Sequence, residues 1–166
     1  LIRIGSCGAL QTGIAVGDLI LVQAAVREEG TSQAYVPAAY PAVSDAALLA
    51  LCARSARRRG LKAHIGLVRS HDSFYIDEQA EVNRLWSGRG LLASDMETAA
   101  LLTVARLRGL RAMSILNTVV PWGGDTLDGI GAYSGGAEAA QWGEAASIQT
   151  ALDACAAIER GEDWLA

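Results

Sequence analysis

Cysteine is scarce in this chain, limited to Cys7, Cys52 and Cys155. The three show no metal-ligand spacing, and an odd number does not suggest a disulfide framework. No metal site is expected, and a reducing cytoplasm is the default compartment. Long apolar runs are missing too: nothing approaches the roughly 20 residues that span a bilayer, and no signal-peptide pattern is visible. Positive charge is in deficit, with 14 Lys and Arg against 18 Asp and Glu, for a formal net charge of -4 and a pI near 5.1. Nucleic-acid binding needs a basic face, so neither nucleic acid nor a membrane is an expected partner. The short run Arg57-Arg58-Arg59 reads as the solvated end of a helix, where cations meet the negative pole of the macrodipole. Internal repeats, low-complexity linkers, a Walker A loop and a GxGxxG fingerprint are all absent.

What is present suits one globular domain over residues 1–166, with 51% hydrophobic and 19% charged residues. Leu1 to Ile4 reads as a strand and Gly5-Ser6-Cys7-Gly8-Ala9 as a tight turn after it. There is no initiating Met and no leading loop, so the chain is expected to be part of a longer one. Gly17-Asp18 leads into Leu19 to Val26, too continuously apolar for a one-sided sheet. Residues 27–43 hold two of the three prolines and read as a loop. Ser44 or Asp45 caps a helix to about Arg59, with Gly60 beyond its end. Ala63 to Val68 is the next strand, Ser70 to Tyr75 a polar-aromatic exit from it, and Glu78 to Trp86 a short helix. Leu91-Leu92-Ala93 then hands over to a helical pattern with Ala100, Leu101, Val104 and Leu107 on one face and Gly109 as its stop. Ala112 to Val120 is apolar and ended by Pro121; residues 121–137 are glycine-rich and read as a loop; Glu138 to about Arg160 reads as helix. Strands alternating with helices predict an α/β fold, a mostly parallel or mixed central sheet flanked by helices.

Two stretches carry chemistry. In Ser94-Asp95-Met96-Glu97-Thr98, an acidic pair sits where a strand meets a helix, and open α/β sheets bind ligands at the carboxyl ends of strands. Ser94-x-x-Glu97 is also a capping box, so the acids have a purely structural reading as well. In Arg3-Ile4-Gly5-Ser6-Cys7-Gly8, an arginine near the end of a buried strand is costly unless it meets an anion. A guanidinium, a hydroxyl and a backbone bared by glycine make an oxyanion or phosphate cradle. A structural carboxylate paired with Arg3 beside an ordinary glycine turn is the alternative.

Arg-Ile-Gly-Ser-Cys-Gly-Ala at 3–9, Asp-Ser-Phe-Tyr at 72–75 and Asp-Met-Glu at 95–97 together resemble successive motifs of the nucleoside phosphorylases. That family includes uridine phosphorylases and hexameric purine nucleoside phosphorylases. The resemblance covers about residues 1–120 and implies phosphorolysis of a nucleoside to free base and (deoxy)ribose 1-phosphate. Inorganic phosphate would be co-substrate, no cofactor would be needed, and the assembly would be a homo-oligomer built of dimers, up to a hexamer. It implies that Arg3 and Ser6 bind phosphate, Met96 packs on the ribose and Glu97 accepts its 2′- and 3′-hydroxyls, while Cys7, Gly8 and Phe74 line the base site. Relatives also carry a preceding segment with further phosphate and ribose contacts, which cannot be assigned in this sequence.

Base preference is where the pattern departs. Val119 and Val120 stand where the purine enzymes place a Ser-Asp pair and resemble the apolar pair of uridine phosphorylases; two valines cannot protonate a leaving base. The Gln and Arg with which uridine phosphorylases read uracil align with Glu78 and Ala80, with Gln79 one residue away. His71 is either a base contact or a solvated or helix-facing histidine. Hydrolytic relatives lack the arginine matched by Arg3, so phosphorolysis is favoured over hydrolysis. A binding-only relative would fit the missing leading segment and the unmatched base readers.

Overall fold

A computed structural model describes residues 1–73 and 75–162. Its elements, in chain order, are β1 (Ile2–Ala9), β2 (Leu19–Glu28), α1 (Gly30–Gln33), β3 (Ala42–Val43), α2 (Ala46–Arg58), β4 (Ala63–His71), α3 (Gln79–Ser87), β5 (Ala93–Asp95), α4 (Thr98–Leu107), β6 (Met113–Val120), α5 (Thr126–Ser134) and α6 (Glu138–Glu159). The strands run in the order β3-β2-β4-β5-β1-β6, and a further β2–β6 pairing brings β6 back to β2. Pairs β1–β6, β2–β4 and β4–β5 are parallel, whereas β1–β5, β2–β3 and β2–β6 are antiparallel. The expected α/β fold with a mixed, helix-flanked sheet is therefore the observed one.

Both faces of the sheet are covered, which is why β2 and β6 are apolar without alternation. Leu19, Leu21, Met113 and Ile115 face Leu48, Leu51 and Cys52 of α2 and Ala146, Ala151 and Ala154 of α6. The alternate residues Ile20, Val22 and Leu116 turn the other way, toward Ala99, Leu102 and Ala105 of α4. Burial of each such large side chain contributes about 1.5–3 kcal/mol. Small residues bring α6 close: an added Cβ at Gly143 would lie 2.1 Å from Asn117 Oδ1 and 2.8 Å from the Gly17 backbone, while Asn117 Nδ2 donates to Ala140 O at 2.7 Å. No helix among the described residues is long and apolar enough to cross a membrane.

Several local expectations are corrected. Gly5 to Ala9 is not a turn; β1 continues through it, paired with β6 and with β5, and bulges between Cys7 and Gly8. Gly5 serves close approach instead, since a Cβ there would strike the Arg3 guanidinium. Residues 27–43 are not simply a loop. They include the end of β2, the short α1 and the edge strand β3, and buried Arg27 gathers the segment. It donates to Ser32 Oγ and to the carbonyls of Ser32, Val36, Pro37 and Tyr40 at 2.6–3.0 Å. The glycine-rich stretch 121–137 contains α5, capped by the Asp125 carboxylate on the Asp128 amide; Gly129 lets this helix sit against Val120. Of the two candidate caps for α2, Asp45 is the one used, accepting from the Leu48 amide at 3.0 Å.

The capping box at the start of α4 is not formed either. Glu97 occupies the N-cap position without a side-chain cap. Asp95 does the capping: its Oδ2 accepts from Thr98 N at 3.1 Å and from Thr98 Oγ1 at 2.5 Å. The reason is burial. A carboxylate placed at the end of β5 and 5% exposed must find donors, and Thr98 and Ser70 supply them.

Candidate active site

At the ends of β1, β4, β5 and β6 lies a cavity of about 540 Å³. β1 contributes Ser6, Cys7 and Gly8; the β5–α4 junction contributes Ser94, Asp95, Met96 and Glu97; β6 contributes Val119 and Val120. His71 enters from the end of β4, Gln79, Ala80, Asn83 and Arg84 from α3, and Trp122, Asp125 and Ile130 from the segment around α5. The lining combines apolar side chains with a few polar and charged ones, the usual make-up of a small-molecule site.

Asp95 is the hub of the polar end. Besides Thr98 it accepts Ser70 Oγ at 2.6 Å on Oδ1, and Ser70 Oγ itself accepts the Ala99 amide at 2.9 Å. Thr98 Oγ1 lies 3.0 Å from Ser114 Oγ. Arg3 Nη1 sits 3.1 Å from Asp95 Oδ2, and Arg3 Nη2 donates to Glu97 Oε2. The two acids differ sharply: the Asp95 side chain is 1% exposed and that of Glu97 61%. Asp95 is a fixed anchor, held by four groups; Glu97 is a solvent-facing partner that Arg3 can exchange for another anion. A dianion arriving at Arg3 would then take over the Glu97 contact, leaving both Glu97 oxygens as acceptors for a diol.

The Cys7 thiol does not supply a nucleophile. Burial pushes it up to about 12, only partly opposed by the Thr118 hydroxyl 3.8 Å away. The His71 imidazole is held below its ordinary value, first by burial and then by the charge of Arg69, so it faces the cavity neutral at pH 7. Among the described residues no group of His, Cys, Asp and Glu could hold a metal ion.

With this geometry in view, the sequence model of the phosphorylase superfamily matches residues 1–157. The chain belongs to the phosphorylase superfamily. It is 42% identical over 123 residues to a uridine phosphorylase of Thermococcus kodakarensis, covering 67% of this chain and 44% of that protein. It is 40% identical over 114 residues to a guanosine phosphorylase of Halorubrum lacusprofundi, covering 69% and 47%. The crystal structure of a uridine phosphorylase from Vibrio fischeri superposes with a TM-score of 0.81 at 44% identity, covering 93% of this chain and 63% of the other. The chain thus spans about half the length of the curated relatives it matches.

Within this superfamily member, the structure gathers most residues singled out from the sequence. Ser6, Cys7, Gly8, Met96, Glu97, Val119 and Val120 all line the cavity. Arg3 is not in the lining and meets it through its contact with Glu97. Glu78 is not in the lining either. It occupies the N-cap of α3 with its side chain uninvolved, and helical periodicity turns Gln79 and Asn83 inward instead. Phe74 lies outside the described residues. Missed from the sequence were Asp95 as the Arg3 anchor, and Asn83, Arg84, Trp122 and Asp125 as lining. Asn83 and Arg84 stand four residues beyond Gln79 and Ala80, a spacing that could have flagged them.

Proposed function

We propose that this protein is a nucleoside phosphorylase, most like uridine phosphorylase, converting a nucleoside and phosphate to free base and (deoxy)ribose 1-phosphate. The observation that carries the reading is the contact of Arg3 with Glu97 at the cavity's polar end, backed by Asp95. It puts an anion-binding cation beside an exposed diol acceptor, the two groups that phosphate and ribose need. Arg3 and Ser6 bind and orient phosphate. Glu97 fixes the sugar hydroxyls, which orients C1′ for attack, and Met96 packs on the sugar. Cleavage develops oxocarbenium charge at the sugar, stabilised by the phosphate beneath it, which is also the nucleophile. Cys7, Gly8, Val119 and Val120 pack on the base.

A single domain working as a homo-oligomer built on dimers in the cytoplasm completes the proposal, with phosphate as co-substrate and no cofactor. The test is product analysis of the protein with uridine, thymidine, inosine and adenosine, with and without phosphate. Pentose 1-phosphate formed only with phosphate supports the reading. Free ribose in either condition would replace it with a nucleosidase, and saturable binding without turnover with a binding-only relative.

A further inference from the structure

We propose that Gln11 is a positioning residue that clamps α3 against the cavity, so that its side-chain amide sets how firmly the site closes on a nucleoside. The inference rests on the nucleoside reading of the cavity and adds to it a residue outside the lining. α3 brings Gln79, Ala80, Asn83 and Arg84 to the cavity. Yet among the described residues it has no buried side chain and joins none of the hydrophobic clusters of the core. A helix of nine residues is marginal by itself, and short helices in proteins owe their stability to packing. With so little burial, α3 belongs to the low-stability end of the fold, where local opening comes first.

Gln11 supplies a hold that packing does not. It follows the end of β1, where Cys7, Gly8 and Ala9 line the cavity, and its Nε2 donates to Ser87 O at 2.9 Å and to Leu91 O at 2.8 Å. Both partners are carbonyls, so the amide must present its NH2 group to them. Ser87 is the last residue of α3, and its carbonyl is one of those that a helix end leaves without a helical partner. Leu91 is buried and opens the run into β5, where Leu92 N donates to Leu67 O at 2.8 Å. One amide thus spans the turn at 88–90 and joins the end of the helix to the chain that enters the sheet.

That turn is built to pivot. Gly90 has a φ of +80°, which glycine adopts freely, and a few positions at the end of an element are enough to absorb the backbone change of a hinge. The contacts made within the segment do not oppose such a motion. Arg89 lies over the Trp86 ring at 5.1 Å and Gln79 Nε2 donates to Asn83 Oδ1 at 2.8 Å, but each joins two residues of the same short stretch. Releasing Gln11 therefore frees α3 to turn about 88–90 and carries four lining residues away. The phosphate end stays as it was, since Arg3 and Ser6 belong to β1 and Asp95 keeps its contact with Arg3. Loss of the clamp separates the two substrates: nucleoside affinity falls and phosphate affinity does not.

The experiment is rapid-mixing hydrogen–deuterium exchange on the protein and on Gln11→Met and Gln11→Glu, with the KM of uridine and inosine and the calorimetric Kd of inorganic phosphate measured on each. Gln11→Met keeps the length of the side chain and removes its donors; Gln11→Glu sets a carboxylate against two carbonyls. In Gln11→Met the amides of residues 80–91 should exchange about tenfold faster, and in Gln11→Glu faster still, while those of β2, β6 and α6 keep the parent rates. The KM of the nucleoside turned over should rise about tenfold, and the phosphate Kd should not change. Unchanged exchange of α3 in both variants, or an acceleration spread evenly over the chain, would overturn the clamp. Faster exchange with an unchanged nucleoside KM, or an equal loss of phosphate affinity, would overturn its role in positioning the nucleoside wall. If the parent turns over neither nucleoside, the nucleoside reading fails and that role with it, whereas the exchange rates alone still decide whether Gln11 holds α3.

Discussion

Replacing Gly5 with alanine separates the role of Arg3 in function from its role in folding. The new Cβ would lie 2.3 Å from Arg3 Nη1 and 2.6 Å from Cζ and Nη2, roughly 1 Å or more inside ordinary contact. The strand need not move, because the colliding group is the far end of a flexible side chain. The guanidinium is displaced from Asp95 and Glu97. Asp95 keeps Ser70 Oγ, Thr98 N and Thr98 Oγ1, so it is not left as an uncompensated buried charge, and the stability cost should be about 1–2 kcal/mol. A phosphate ligand lost at the same time should cost about 2 kcal/mol of binding, or roughly 30-fold in Kd. Equilibrium urea unfolding with and without phosphate, at matched ionic strength in chloride, reads both quantities. At a phosphate concentration of about 100 times the parent Kd, the ligand stabilises the parent by about 2.7 kcal/mol and should stabilise Gly5→Ala by only about 0.9 kcal/mol. If the variant loses its 1–2 kcal/mol but phosphate still adds the full increment, Arg3 is a structural arginine and the assignment of the phosphate site fails.

Gly143→Ala should destabilise the fold by about 1–3 kcal/mol despite the better helix propensity of alanine, because its Cβ meets the Gly17 backbone and Asn117 Oδ1. Gly131→Ala in α5, with nothing within 4 Å of the added Cβ, should stabilise by about 0.5–1 kcal/mol; denaturant midpoints with equal signs for the two would contradict the packing of α6. Arg27→Met should cost about 2–4 kcal/mol by releasing the carbonyls of residues 32–40, and proteolysis in that segment should accelerate. The folded pKa of His71 lies below its unfolded value of 6.5, so its unfolded form binds the proton first. Stability should be full above pH 6.5 and fall as pH drops from there through the folded value. His71→Gln should flatten unfolding midpoints in that window, and an unchanged slope would show that another group is responsible. Asp18 comes in lower: burial alone would raise it, but the Ala15 amide, His64 and Lys62 outweigh burial and hold it below the usual carboxylate range. Its contribution is lost only as pH falls below 3.8.

The parts of the fold legible in the sequence were those set by a single local signal. The largely apolar stretches of β2 and β6 pointed to strands covered on both faces, and Ser44 or Asp45 ahead of an amphipathic stretch pointed to a capped helix. Glycine was ambiguous, because it marks both a turn and a close approach. At Gly5 and Gly129 the approach is to Arg3 and Val120, residues whose proximity only the folded chain reveals. The start of α4 was ambiguous for a different reason. Ser94-x-x-Glu97 and Asp95-x-x-Thr98 both have capping spacing, and the choice falls to the carboxylate whose burial leaves it no alternative donors. That choice has a functional consequence, since Glu97, relieved of capping, is the exposed acid that meets Arg3.

The cavity-facing residues of α3 were hardest to read because a helix turns about 100° per residue. An alignment can be correct to within one position and still assign the wrong side chain to the cavity. Moving the inward face from Glu78 to Gln79 replaces a carboxylate with an amide, and carries the polar contacts one turn onward to Asn83 and Arg84. The motifs on β1 and at the β5–α4 junction are anchored by hydrogen-bonded register, where Gly8 pairs with Ser94 and Arg69 with Ser94, and such positions tolerate no drift. The side chains that line the cavity from strands were therefore legible in the sequence, whereas those that line it from α3 depend on a helical phase that the sequence alone leaves undetermined.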